Sequence, residues 1–232
     1  MALPQLNSVP KYTLTIPSTG KKVKYRPYLV KEEKILLMAS EQQDPGQIMS
    51  AVVDTVIACI DGSIKKDDLK TFDIEYMFLQ IRSKSVGDKI DLKLDCSECK
   101  TPNKNSIDIS EIKCEKTAST SIIELTDDIS VEMDYPNYTM LDFDGDSRTQ
   151  GFSVLGKCIK TIITDNGENR IDASEESEES MGSFIDSMTQ SQFSKLSDYL
   201  ENMPAVKHTI EFECSDCGHA NKLKLEGMQS FF

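Results

Sequence analysis

Two cysteine pairs dominate what this chain can fold into: Cys96-Ser97-Glu98-Cys99 and Cys214-Ser215-Asp216-Cys217. Each closes one alternating apolar run and opens another. Ile90, Leu92 and Leu94 alternate with Asp91, Lys93 and Asp95 before the first pair, and Ile210 and Phe212 alternate with Glu211 and Glu213 before the second. After each pair comes the same short gap, then Asn-Lys (Asn103-Lys104, Asn221-Lys222), then alternation at Ile107 and Ile109 or at Leu223 and Leu225. Period two is the mark of a strand, so each pair is expected at the tip of a β-hairpin.

Two thiolates separated by two residues grip one edge of a tetrahedral ion, and two such pairs supply the four sulfurs of a closed structural zinc site. Cys96, Cys99, Cys214 and Cys217 are therefore the expected metal ligands, with zinc as the ion. Reduced unliganded pairs, disulfides or an iron–sulfur cluster are the competing readings. More than a hundred residues separate the pairs, far longer than in an ordinary zinc ribbon. Cys59, Cys114 and Cys158 stand alone in apolar or mixed surroundings and read as buried, inert thiols. His219, two residues after Cys217, reads as a surface turn residue able to replace a ligand.

Along the chain, Tyr12, Leu14 and Ile16 alternate with Thr13 and Thr15, Pro17-Ser18-Thr19-Gly20 turns, and Val23 and Tyr25 alternate back, which predicts a hairpin. Strong helix formers from Val30 to Ala39 predict a helix stopped by Asp44-Pro45-Gly46, and the stripe Ile48, Val52, Val56, Ile60 predicts a second from about Gln47. Ile74 to Arg82 is too apolar for an exposed strand and reads as a buried helix.

The second half follows the same plan: a hairpin at Ile122–Leu125 and Val131–Met133, a helix carrying Phe152, Leu155, Ile159 and Ile162-Ile163, and a helix from Thr189 to Met203 before the second cysteine hairpin. Residues 169–180, rich in Glu and Ser, read as an acidic low-complexity loop that cannot bury a core. The expected fold is α+β, with two pseudo-repeated halves, 1–118 and 119–232, forming one compact unit. Each half holds a hairpin, helices and a CxxC hairpin, and the two join at a shared zinc-ribbon-like four-cysteine site. One ion would then clamp both halves.

A net charge of −13 argues against a phosphate-tracking surface and so against nucleic acid as a partner. No stretch approaches the length of a membrane span, and Met1 to Pro10 is neither basic nor continuously apolar, so a soluble chain made in the cytoplasm is expected. With only His208 and His219 present there is no readable Ser-His-Asp triad, and GxGxxG, Walker and HExxH motifs are missing. Asp142, Asp144 and Asp146 mimic a calcium loop, yet the glycine and the closing acid that such a loop needs are replaced by Ser147 and Ser153. A non-enzymatic protein is the expectation.

Two long ungapped stretches, Tyr25-Arg26-Pro27-Tyr28-Leu29-Val30-Lys31-Glu32-Glu33-Lys34-Ile35-Leu36-Leu37 and residues 72–87 from Phe72 to Gly87, resemble the baseplate hub assembly protein family of T-even-type contractile-tailed bacteriophages. The resemblance implies a viral protein made in the bacterial host and acting in the central hub of the tail baseplate. It also implies other hub proteins and the tape-measure end as partners. It carries no active-site residues. An assembly factor absent from the finished virion is the alternative, and a zinc-ribbon nucleic-acid-binding regulator is the alternative from another class. The apolar ending, with Phe231 and Phe232, reads either as an anchor in a partner's pocket or as part of the protein's own core.

Overall fold

A computed structural model describes residues 9–115, 120–141 and 147–227. They form a mixed α/β structure with six α-helices and several small sheets. The described residues divide into two compact units: 9–115 with 205–227, and the part of the chain from 120 to 204.

The first unit opens with β1 (Tyr12–Thr15) and β2 (Lys22–Tyr25), an antiparallel pair whose Leu14 faces Val23 in the core. Gly20, at φ +69°, turns the chain so that its N–H returns to the Ile16 carbonyl at 2.8 Å. Helix α1 (Val30–Gln42) is followed by α2 (Pro45–Cys59). Helix α2 starts earlier than its apolar stripe implies, because Pro45 fits the first helical position and the Asp44 side chain caps the N–H groups of Gly46 and Gln47. Helix α3 (Thr71–Val86) buries Phe72, Ile74, Met77, Phe78, Leu79 and Ile81, and with them the polar Asp73 and Ser83. Gly87 ends it at φ +115°, and the chain enters the hairpin β3 (Lys89–Asp95) and β4 (Pro102–Asp108), then the short β5 (Lys113–Glu115).

The second unit is built on an antiparallel sheet of β6 (Ile122–Glu124), β7 (Ser130–Met133), β8 (Ile159–Thr164) and β9 (Asn169–Asp172). Three helices accompany it: α4 (Ser147–Cys158), α5 (Glu178–Asp186) and α6 (Gln190–Glu201). Two expectations are corrected here. Helix α4 stops at Cys158, and Ile159 to Ile163 is strand: five of the six residues in IKTIIT are β-branched, and Val131 and Ser130 of β7 pair with Ile162 and Ile163. Residues 169–180 are also not a loop. Their start pairs with β8, and Glu178 and Glu179 form the acidic first turn of α5, where the helix dipole favours them. Met181, Phe184 and Ile185 of α5 then pack on the core formed by Val131, Met133, Leu155, Ile159 and Leu196.

The last strands, β10 (Ala205–Glu213) and β11 (Ala220–Glu226), pair antiparallel, and β10 also pairs with β5. They belong to the first unit because Val206, Ile210 and Leu225 complete one core with Leu79, Ile90, Leu92, Ile107, Ile109 and Ile112. Burying each such side chain is worth about 1.5–3 kcal/mol. The compact units are therefore drawn differently from the sequence halves divided at residue 118. Both cysteine hairpins stand on one floor.

Candidate metal centre

Each cysteine pair occupies a tight turn at the end of its hairpin, and the two turns are built alike. The Cys96 N–H donates to the Thr101 carbonyl at 3.0 Å and the Cys96 carbonyl accepts from the Lys100 N–H at 3.0 Å. In the second turn, Cys214 N–H donates to the His219 carbonyl at 2.9 Å and its carbonyl accepts from Gly218 N–H at 3.0 Å. The closing residue of both turns is left-handed, Lys100 at φ +60° and Gly218 at φ +70°. The lysine is held there at a cost of about 1–2 kcal/mol that glycine does not meet.

The turns bring the four predicted sulfurs together. Cys96, Cys99, Cys214 and Cys217 place all their Sγ atoms within 4.8 Å of one another, with Cys96 to Cys217 at 3.7 Å and Cys99 to Cys214 at 3.5 Å. A tetrahedral ion with sulfur ligands at about 2.3 Å has edges of about 3.8 Å, so these separations suit an ion. They are far beyond the S–S bond of about 2.05 Å, and none of the seven cysteines is joined in a disulfide. Cys96 and Cys214 are buried, whereas Cys99 and Cys217 face outward. Each hairpin thus contributes one inner and one outer sulfur.

Electrostatics points the same way. The N–H of Cys99, with that of Glu98 and the Asn221 amide, holds the Cys96 thiol below its ordinary range. The N–H groups of Cys217 and Asp216, aided by Asn103, bring Cys214 down to about 6. Cys217 receives the His219 N–H, which favours its thiolate, yet sulfur contacts with Cys99, Cys214 and Cys96, together with burial, push it up to about 12. Four thiolates this close cannot all be charged without a cation among them. A cation held by all four would have no open coordination position.

Two residues that the sequence reading left without a role hold the site together. Asn103 Oδ1 accepts the Ser215 N–H and hydroxyl at 2.9 Å each, and Asn103 Nδ2 lies 3.6 Å from Cys214 Sγ. Asn221 mirrors it: Oδ1 accepts the Ser97 N–H and hydroxyl at 2.9 Å each, and Nδ2 lies 3.5 Å from Cys96 Sγ. Both asparagines are buried. Their signal in the sequence was the Asn-Lys repeated at the same distance after each pair.

The other candidates stay apart. His219 is exposed and enters the turn through its backbone. Cys59 and Cys158 are buried, and burial pushes the Cys59 thiol up to about 11, while Cys114 is half-buried. Asp142, Asp144, Asp146, Phe231 and Phe232 lie outside the described residues. On the second hairpin lysines are engaged with carboxylates, Lys222 with Glu211 at 2.7 Å, and Lys207 and Lys224 with Glu226 at 3.2 and 3.1 Å, while at the first turn Lys100 Nζ donates to the Ser97 carbonyl at 3.0 Å.

A profile of the T4 bacteriophage base plate protein family matches residues 9–232. The chain belongs to that family. No curated protein and no solved structure gives a match. In this baseplate protein the two stretches that carried the sequence resemblance meet each other in the first unit. Arg26 Nη2 donates to Glu32 at 2.9 Å and to the Ala58 carbonyl at 3.0 Å, joining β2, α1 and the end of α2. The Tyr28 N–H donates to Ser85 Oγ on α3 at 2.9 Å. These motifs serve architecture. Membership gives a structural role in the phage tail baseplate, with other baseplate proteins as partners. Among the described residues no helix is long and apolar enough to cross a membrane.

Proposed function

We propose that this baseplate protein is a non-enzymatic structural subunit of the central hub, locked by one structural zinc ion at Cys96, Cys99, Cys214 and Cys217 and docked on other hub proteins. The observation that carries the reading is the family match over residues 9–232. The sulfur separations and the two buried asparagines support zinc, because structural zinc sites are closed sulfur tetrahedra with hydrogen-bonded ligands. A closed site favours structure over catalysis.

Docking is supported by the outer face of α1. Val30, Leu37 and Met38 are 65%, 59% and 62% exposed and lie opposite the buried Glu32 and Ala39, with Ile35 beside them at 51%. Apolar side chains grouped on one exposed helix face mark an interaction surface.

The proposal includes an internal duplication, which three parallels support. The two cysteine turns match bond for bond. The residue after the second strand of each first hairpin donates to the cysteine that ends a later helix, α2 in one case and α4 in the other: Arg26 N–H to Cys59 carbonyl at 2.9 Å and Asp134 N–H to Cys158 carbonyl at 2.7 Å. The third residue of the helix preceding each cysteine hairpin holds the turn of its first hairpin, Asp73 accepting the Ser18 N–H at 2.8 Å and Gln192 Nε2 donating to the Leu125 carbonyl at 3.2 Å.

Quantitative mass spectrometry of purified virions and of tail-assembly intermediates, with metal analysis of the isolated protein, tests the reading. A fixed small-integer copy number in virions with stoichiometric zinc is the expected result. Presence in intermediates alone would make the chain an assembly factor instead.

A further inference from the structure

We propose that the groove between α4 and α5 in the second unit is a docking site for a basic, amphipathic segment of a partner protein. The groove has a volume of about 900 Å³ and a floor of Met140, Phe152, Ile159, Met181 and Ile185. That volume is in the range of built binding clefts, about 300–1,000 Å³. Gly156 leaves room for Ile185, whose Cδ1 would stand 3.0 Å from a Cβ placed there. Phe152 packs against Phe193 with the rings tilted by 33° and their centroids 4.9 Å apart, yet remains 54% exposed. Methionines in a groove floor adapt to the side chain they receive.

The rim states the chemistry of the occupant. Asp134, Asp172, Glu176, Glu178 and Asp186 border the groove, against Lys157 and Lys160. Lys160 is bound to Glu132 at 2.8 Å, and that carboxylate also holds Arg170 at 2.7 Å, while on the rim itself five carboxylates stand against two lysines. An acidic rim around an apolar floor repels nucleic acid and anionic lipid. It favours a helix or strand that presents apolar anchors flanked by Lys or Arg. The charge of the whole chain, −13, adds to the attraction.

The test uses the full-length protein and two labelled helical peptides with leucines at i, i+3, i+4 and i+7, one flanked by lysines and its twin by glutamates. The lysine peptide should bind and protect residues 152–186 from hydrogen exchange, while the glutamate twin should bind at least tenfold more weakly. Glu176, Glu178 and Asp186 are exposed, so the triple change Glu176→Lys, Glu178→Lys, Asp186→Lys should shift the thermal midpoint by no more than a few degrees, the dipole loss at the start of α5 being offset by the gain at its end, and should reverse the preference between the twins. Phe152→Ala should weaken the lysine peptide at least fivefold. No binding of either peptide, equal binding of both, or protection outside residues 152–186 would overturn the proposal.

Discussion

Asn103 and Ser215 come from different hairpins, 112 residues apart, and are joined twice: one amide oxygen accepts both the Ser215 N–H and its hydroxyl. The bond pair holds the second cysteine turn from the side of the first, and Asn221 with Ser97 does the reverse. Each turn is thus shaped by the other hairpin as well as by its own backbone. These two bond pairs hold the turns in the arrangement that gathers the four sulfurs.

Asn103→Ala and Asn221→Ala should each remove a buried amide and leave the serine N–H and hydroxyl of one cysteine turn without their acceptor. A loss of about 1–3 kcal/mol in folding stability is expected from the unsatisfied groups, and a 10–100-fold loss of metal affinity from the missing outer shell. Competition with a chromophoric chelator measures the second quantity; wild-type affinity in both variants would show the asparagines to be bystanders.

Cys214→Ser should abolish stoichiometric zinc. By analogy with a cross-link that closes a loop of this length, the loss is about 4 to 5 kcal/mol. Chelator should lower the thermal midpoint of the native protein and leave that of the variant unmoved. An equal chelator response in both would place the metal elsewhere.

Glu32 sets a pH dependence. Burial works to raise its pKa, but the Arg26 guanidinium, the Leu29 N–H and Lys31 outweigh burial and hold it below the usual carboxylate range. A depressed carboxylate stabilises the fold above its unfolded value of about 4.3 and loses that contribution as pH falls through the folded value. Glu32→Gln should cost about 2 to 3 kcal/mol at neutral pH. The gap from wild type, measured by urea denaturation, should shrink below about pH 4. A gap that stays constant with pH would remove the charge from the explanation.

Leu37→Glu combined with Met38→Glu alters the exposed face of α1 and no buried contact, so stability should change by less than about 0.5 kcal/mol per site. Incorporation into tail intermediates, read by complementation and quantitative mass spectrometry, should fall at least tenfold. Normal incorporation would move the docking surface away from α1.

Local chemistry was legible in the residues alone. The two CxxC pairs, the alternation around them, the first hairpin and the start of α1 follow from ligand spacing, period two and helix propensity, each of which acts over a few residues. The run from Ile159 to Ile163 was not legible, because apolar residues at Phe152, Leu155, Ile159 and Ile162 satisfy the helical period while β-branching favours a strand. Pairing with Val131 and Ser130 decided it. Residues 169–180 likewise looked unable to bury anything until β8 offered a partner strand and the apolar residues of α5 found the core.

What the sequence by itself determined was the donor set: which sulfurs, in which turns, at which spacing. Only the tertiary structure decided that both hairpins share one floor, through Val206, Ile210 and Leu225 packing with Ile90, Leu92 and Ile107, and that Asn103 and Asn221 reach across between them. The physical reason is range. A turn or a cap is settled by neighbours in the chain, whereas a shared core and a hydrogen bond between residues more than a hundred positions apart exist only after the chain has closed.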